Sequence, residues 1–317
     1  MKACVYSQYG PPNVMSVADV KTPEAKNNEV RIKVSYTALT AGDRRIRASD
    51  FPKGMKAMGR LAIGVFKPRN KILGLSFSGV IDQVGDNVTE FKVGDRVCCV
   101  TGMKMGACAE YVTMQSTKKI VIIPDSVDLQ DAAAVIFGGT TSLFYLREKG
   151  KLAEGQKVLI NGASGALGTN AIQIAKIMGA NVAAITSTKN IDLVKNLGAD
   201  KVIDYTSEDI YKLEEKFDLI FDAVGNLDLK KTKTLLNADG KVLLIVADLK
   251  QQILPDKQTV VGVAPDKKEY IVELVKLLEE KKLEVVTGNV FKAEEIVKAH
   301  ELADSGHKVG NILIKFD

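Results

Sequence analysis

Apolar and β-branched residues occur in two textures along the chain, and the change falls near Pro124. Before it, the short runs Val30 to Ser35, Gly79 to Val84, Arg96 to Val100 and Ile120 to Ile123 are separated by turn signals at Gly85-Asp86-Asn87 and Gly94-Asp95. Short strands in series with that punctuation predict a barrel or a sandwich. The stretch from Arg47 to Lys71 breaks the pattern. It holds Pro52, Gly54, Gly59, Gly64 and Pro68, and predicts a long loop or loose helix lying over a site.

After Pro124 strands and helices alternate. Lys157 to Ile160 predicts a buried strand, Gly165 to Met178 a helix, Asn181 to Thr186 a strand and Ile191 to Leu197 a helix. The series continues with strand Lys201 to Tyr205, a polar helix Asp209 to Lys216, strand Phe217 to Phe221, helix Asp228 to Leu236, and strands Lys241 to Val246 and Thr259 to Val263. Such alternation implies βαβ units and a parallel sheet, so the fold class is α/β. Glu269 to Lys281 is an amphipathic helix, and Val285 to Phe316 reads as strand, helix, strand returning to the first domain. The expected division is residues 1–123 with 266–317 in one domain and 124–265 in the other.

The segment Asn161 to Gly168 (NGASGALG) follows a predicted strand and opens a predicted helix. Close glycines let backbone approach a pyrophosphate, and a helix N-terminus offers free N–H groups at the positive end of its dipole. Of the fingerprint G-x-G-x-x-G, Gly165 and Gly168 are present while Ala163 stands at the first glycine. This turn makes the sheet doubly wound rather than a closed barrel. About 20 residues further on, an acid would bind the adenosine ribose hydroxyls and select NAD. The chain has Ser187, Thr188 and Lys189 there instead. Hydroxyls and a lysine suit a 2′-phosphate, so NADP(H) is the expected cofactor. Ser187 or Thr188 can serve as a helix N-cap at the same time.

Composition narrows the remaining classes. The net charge of +5 over 317 residues, read run by run, gives only short clusters such as Arg44-Arg45-Ile46-Arg47. No basic stripe with interleaved aromatics is visible, which excludes a nucleic-acid partner. No apolar stretch has membrane-spanning length and no secretory signal is visible, so neither a membrane partner nor export is expected. Cys4, Cys98, Cys99 and Cys108 lack the spacing of a disulfide framework. A reduced, cytoplasmic protein with a small-molecule substrate is the expectation.

These residues bear a resemblance over nearly the whole chain. The segments MKACVYSQYGPP, EVRIKVSYTALTAGD, ILGLSFSGVIDQVG, FKVGDRV, GACAEYV, FGGTTS, VLINGASGALG, LGADKVIDY, FDLIFDAVG and GHKVGNILI resemble the medium-chain dehydrogenase/reductase superfamily. Within it they resemble the zinc-independent quinone oxidoreductase-like branch. The resemblance implies a GroES-like β-barrel domain, a Rossmann doubly wound parallel sheet, a cleft between them and a homodimer. It places Thr141 near the nicotinamide, Ser164, Gly165, Ala166 and Leu167 along the pyrophosphate, and Tyr205 at the adenosine end. Val224 and Val246 approach the nicotinamide side. Zinc-dependent relatives carry a Cys within the segment Thr37 to Asp43 and Gly-His-Glu where Gly74-Leu75-Ser76 stands, so no metal is expected. The quinone reductase branch often has Asn at Thr40 and an acid near Ser76, and this chain departs at both.

The implied activity is hydride transfer from NADPH to a quinone or an α,β-unsaturated carbonyl, without zinc. Thr40, or a backbone N–H, is the candidate to steady the developing oxygen charge, and Asp43 is the one ionisable group of that segment. No titrating acid is expected to take part. A non-catalytic NADPH-binding redox sensor or structural protein is the alternative. A short-chain dehydrogenase is excluded, because Tyr145 and Lys149 precede the glycine loop rather than follow it.

Overall fold

Six parallel strands form the sheet that the second texture predicts, and the computed structural model describes them with the rest of the 317 residues. Their order across the sheet is Lys201–Asp204, Asn181–Thr186, Lys157–Asn161, Phe217–Asp222, Leu236–Leu244 and Thr259–Val260. The first of these in the chain, Lys157–Asn161, lies in the middle, and later strands add to one side and then to the other. The carboxyl ends of Lys157–Asn161 and Phe217–Asp222 therefore diverge at a switch point, where α/β sheets open a crevice. Val158, Leu159 and Ile160 are fully buried because helices cover both faces, which is why this strand reads as an unbroken apolar run.

The first texture gives a seven-stranded mixed sheet. Thr287–Lys292, Asn311–Lys315, Glu29–Ala38, Ser76–Val84, Arg96–Val100 and Ile120–Ile122 follow in order, and Tyr111–Gln115 pairs with the first half of Glu29–Ala38. Leu313, Ile314 and Lys315 pair antiparallel with Ala38, Thr37 and Tyr36, and Ile296, Ala299, Ile312, Ile314 and Phe316 share a core with Val30, Ile32 and Phe77. The helix Lys268–Glu279, grouped from its sequence position with this barrel unit, packs elsewhere. Its stripe Tyr270, Ile271, Leu274 and Val275 enters the core that holds Val158, Ile160 and Ala171.

Some elements differ from their sequence patterns. The polar stretch Asp209 to Lys216 makes only one 3-10 turn, Ile210–Lys212, from which Ile210, Tyr211 and Leu213 pack against the core. Thr259 to Val263 pairs only over Thr259–Val260, at the edge of the sheet. The helix Leu129–Leu143 has no visible periodicity because it is apolar nearly all round. Ala132, Ala133, Ala134, Val135 and Ile136 are all buried between the two sheets. Arg47 to Lys71 contains a two-turn helix, Lys56–Ile63, within its loops.

The helix Ala41–Ala48 is tied to the C-terminal helix Ile296–Asp304 by a buried charge. Arg47 is 0% exposed, and its Nη2 donates to both oxygens of Asp304 at 2.6 and 2.7 Å. Arg44 donates to the same carboxylate at 3.0 Å. Nothing else inside the protein accepts from the Arg47 Nε and Nη1. Asp304→Ala is therefore expected to cost about 3–5 kcal/mol, since it strands a buried guanidinium. Arg47→Met added to it should restore most of the loss, as urea unfolding of the single and double variants will read.

Candidate active site

The switch point carries the glycine loop, and its geometry explains each small residue. Gly162 has φ +79°, and a Cβ there would lie 2.6 Å from Val224 Cγ2. The Gly165 N–H donates to the Gly162 carbonyl at 3.1 Å, closing the turn. A Cβ on Gly168 would lie 2.2 Å from that same carbonyl oxygen, so the first turn of the helix can approach its loop only without a side chain. Ala163, where the fingerprint has its first glycine, points into the core at 0% exposure and donates its N–H to Ile185 O at 3.1 Å. Its methyl faces away from the crevice, which makes that departure harmless. The helix Ala166–Ile177 starts at Gly165 with no side-chain cap, leaving its N-terminal dipole to a ligand.

A cavity of about 660 Å³ opens over this loop, between the two sheets. Thr40, Ser164, Gly165, Ala166, Leu167, Ser187, Lys189, Tyr205, Val224 and Val246 all line it, so the structure brings together most of the residues that sequence singled out. Gly168 stands behind the wall in its structural role. Thr141 does not reach the cavity, because its hydroxyl donates to Phe137 O at 2.8 Å within the helix and Phe137 lines the wall one turn earlier.

Asp43 does not reach it either. At 1% exposure its Oδ2 accepts from Thr40 N at 2.9 Å and from Thr40 Oγ1 at 2.6 Å, while Oδ1 accepts from Gly74 N at 2.9 Å. Burial raises its pKa, and these hydrogen bonds oppose the rise. The Thr40 hydroxyl in turn accepts from Asp43 N at 3.2 Å, completing a capping box at the start of Ala41–Ala48. The consequence corrects the expectation for Thr40. Its hydroxyl proton is committed to a buried carboxylate and is not free to donate into the cavity.

At the far end of the cavity, Asn190 Nδ2 donates to Ser164 Oγ at 3.0 Å and to Ser187 Oγ at 3.3 Å, tying the two phosphate-facing loops together. Hydrogen bonds from Thr188 and Thr206 hold the nearby Asp204 below the usual carboxylate range. Lys189 is exposed beside them and makes no ion pair.

Two further cations line the cavity that sequence reading passed over. Arg45 is half-buried and, unlike Arg44 and Arg47, has no carboxylate partner; burial lowers its pKa. Lys308 reaches only the Gly310 carbonyl, at 3.5 Å, and burial takes its ammonium down to about 8. The loop that carries it touches the glycine loop directly, where Gly310 N donates to Ser164 O at 2.8 Å. Arg45 was visible only as one charge in a short run. Lys308 was visible only as part of the terminal segment, because nothing local says that residues this far apart share a wall.

Comparison with known proteins agrees with this architecture. A model described as alcohol dehydrogenase GroES-like domain matches residues 26–125, and one described as zinc-binding dehydrogenase matches residues 197–314. The quinone oxidoreductase of Pseudomonas aeruginosa is 30% identical over 95% of this chain and 96% of its own length. The chloroplastic NADPH-dependent alkenal/one oxidoreductase of Arabidopsis thaliana is 33% identical over 77% of this chain, which spans 62% of that relative's length. The structure of the quinone oxidoreductase from Coxiella burnetii superposes with a TM-score of 0.90 at 28% identity, covering 100% of this chain and 99% of that one.

The two glycines of the loop make separable demands. A Cβ at Gly165 meets its nearest neighbour at an ordinary 3.5 Å, against 2.2 Å at Gly168. Gly168→Ala should then lose about 1–3 kcal/mol of stability, and Gly165→Ala, which gives up only a tolerated N-cap residue, about 0.5–1 kcal/mol. Parallel thermal melts of the two variants check the difference; equal melting temperatures would contradict it.

Proposed function

We propose that this chain, which belongs to the medium-chain dehydrogenase/reductase superfamily and to its quinone oxidoreductase-like branch, is a zinc-free reductase that uses NADPH to reduce quinones or α,β-unsaturated carbonyls. The observation that carries the reading is the cavity at the switch point, where an uncapped helix N-terminus and a tight glycine loop lie among three cations with no carboxylate partner. That arrangement suits a dinucleotide carrying several phosphate charges. When bound, the nicotinamide supplies the hydride.

The residues of the chain do the rest. Ser164 to Leu167 present backbone to the pyrophosphate, and Lys308 adds charge from the loop that abuts them. Ser187 and Lys189 meet the 2′-phosphate, and Tyr205, 54% exposed, offers a ring at the adenosine end. Leu39, Phe137, Val224 and Val246 keep the reacting end dry. With the Thr40 hydroxyl spent on Asp43, Arg45 is a cation available to steady an oxygen that gains charge. A conjugated acceptor spreads that charge itself and asks less of such a donor. The names of the relatives from Pseudomonas and Arabidopsis support the same acceptor classes.

The second family model has zinc in its description, and the residues here do not fit that ion. Thr37 Oγ1 donates to Ala107 O at 2.5 Å, Leu75 is apolar, and the chain has two histidines. His300 is buried beside Arg47, and burial with that neighbouring charge pushes its imidazole down to about 3. Only His307 lines the cavity.

Steady-state kinetics with NADPH and NADH against a panel of quinones, enones and saturated ketones tests the reading. Turnover of the conjugated acceptors is expected, with NADPH preferred. Lys189→Ala should weaken NADPH by roughly ten- to a hundredfold and leave NADH unchanged, the loss of one charge-assisted bond. Binding without turnover across the panel would return the non-catalytic alternative.

A pH dependence of cofactor affinity follows from Lys308. Its ammonium is charged below about pH 8 and neutral above. NADPH affinity should be flat below that point and fall by up to about tenfold per pH unit above it, because binding must then take up a proton. Titration calorimetry on the wild type and on Lys308→Gln checks this. The variant should bind more weakly below that pH and lose the alkaline decline.

A further inference from the structure

One segment holds the chain's positive excess. Between Phe51 and Lys71 stand Lys53, Lys56, Arg60, Lys67, Arg69 and Lys71 with no Asp or Glu, against a net charge of +5 for all 317 residues. The rest of the chain therefore has a slight negative excess. Scanning for short runs hides this, because the six cations are spaced along a helix and its flanking loops.

The same segment turns its apolar side outward. Within and just after the helix Lys56–Ile63, Met58, Leu61, Ala62 and Val65 recur at i, i+3, i+4 and i+7 and are all exposed. Phe66 is 94% exposed. Inward, Ile63 is buried in the barrel core, a Cβ on Gly59 would meet the Phe51 ring at 2.6 Å, and Arg60 lies 3.9 Å over the Tyr9 ring. One buried anchor leaves more apolar side chains outside than inside, the reverse of the usual balance for a surface helix.

A second short helix adjoins this face. Leu249 N donates to Lys53 O at 3.0 Å, and Gln252 Nε2 donates to Met55 Sδ at 3.1 Å, joining the segment to the helix Leu249–Ile253. That helix ends in Ile253 and Leu254, 65% and 74% exposed.

We propose that this face docks the protein on an anionic membrane surface, with the helix Lys56–Ile63 lying in the plane of the headgroups. Apolar side chains among cations fit the boundary between acyl chains and anionic headgroups, where both are satisfied at once. A second copy of the chain would bring the same positive charge against itself. Single-stranded nucleic acid would need a series of stacking rings, and Phe66 is the one exposed aromatic of the segment. No helix is long and apolar enough to cross a membrane, so the attachment is peripheral, a partner that the sequence reading did not expect. Docking does not rest on the reductase reading.

The test is co-sedimentation of the full chain with vesicles of phosphatidylcholine alone or mixed with phosphatidylglycerol, at low and high salt. The wild type should pellet with the anionic vesicles at low salt, and not with neutral ones or at high salt. Replacing Lys53, Lys56 and Lys67 with Gln should lower the partition coefficient roughly fivefold per residue, about a hundredfold together. Leu61→Glu with Phe66→Glu should abolish pelleting and leave turnover of a water-soluble quinone unchanged. Wild type that stays in the supernatant with anionic vesicles, or pellets equally with neutral ones, overturns the proposal whatever the variants do. Light scattering that shows the mass of the wild type halved in the Leu61→Glu, Phe66→Glu variant would also overturn it, by making this face a contact between copies.

Discussion

The Gly310 N–H donates to the Ser164 carbonyl at 2.8 Å, and Gly165 and Gly310 pair as a short parallel bridge. Backbone of the C-terminal loop is thereby stitched to backbone of the phosphate-facing loop, at the cavity end of the seam that helix Leu129–Leu143 also fills. Gly310 must be small, whereas Gly165 has room for a methyl. Gly310 has φ +57°, and a Cβ there would lie 2.2 Å from Val286 O. A backbone contact holds its geometry better than one between long side chains, because little rotamer freedom has to be frozen to make it. The position of Lys308 and the width of the cavity depend on this seam. The Arg47–Asp304 pair secures its other end, since Asp304 immediately precedes the loop.

The polar chemistry of the barrel wall is arranged around a carboxylate that never meets solvent. Asp43 takes hydrogen bonds from Thr40 and Gly74, so the start of Ala41–Ala48 and the turn before Ser76–Val84 share one acceptor. Burial of the charge is unfavourable, and three donors from two segments offset it. The cost to chemistry is a missing donor, since a threonine whose proton is held by a carboxylate cannot also polarise a substrate. Arg45 and Lys308 remain, each half-buried and unpaired, and a partly desolvated cation interacts more strongly with an incoming anion than one in bulk water.

The architecture was legible in the sequence because its signals are local. Strands such as Lys157–Asn161 and the glycine loop after it need only a dozen residues to declare themselves, and Ser187 and Lys189 follow at a fixed offset. Helix Leu129–Leu143 was not legible. It is buried nearly all round, and periodicity reports a boundary between wet and dry faces that this helix lacks. The cavity cations were missed for a different reason: Arg45 and Lys308 meet only because Asn311–Lys315 pairs with the end of Glu29–Ala38. Asp43 was legible as an ionisable group near the site, but whether it faces the cavity or the core is decided by the Gly74 N–H from the turn before Ser76–Val84.

Charge in this molecule is sorted by what surrounds it. The cations in the cavity stand apart from carboxylates, where Arg45, Lys189 and Lys308 keep their attraction for a ligand. Those of the Phe51 to Lys71 segment also lack acids within their own stretch, but they lie among exposed apolar side chains instead. Elsewhere, pairs such as Arg31–Asp82, Lys157–Glu215 and Lys176–Asp200 neutralise their neighbours. The more exposed of these, Lys157–Glu215 and Lys176–Asp200, add little stability, so their presence is no requirement of the fold. The absence of such pairs from two adjoining regions is the informative feature. Uncompensated charge repels itself, and a fold retains it where an outside anion supplies the balance. In the cavity that anion is small and enters a slot. On the outer face the cations are spread over a helix and mixed with Leu61 and Phe66, a geometry that only an extended surface can match.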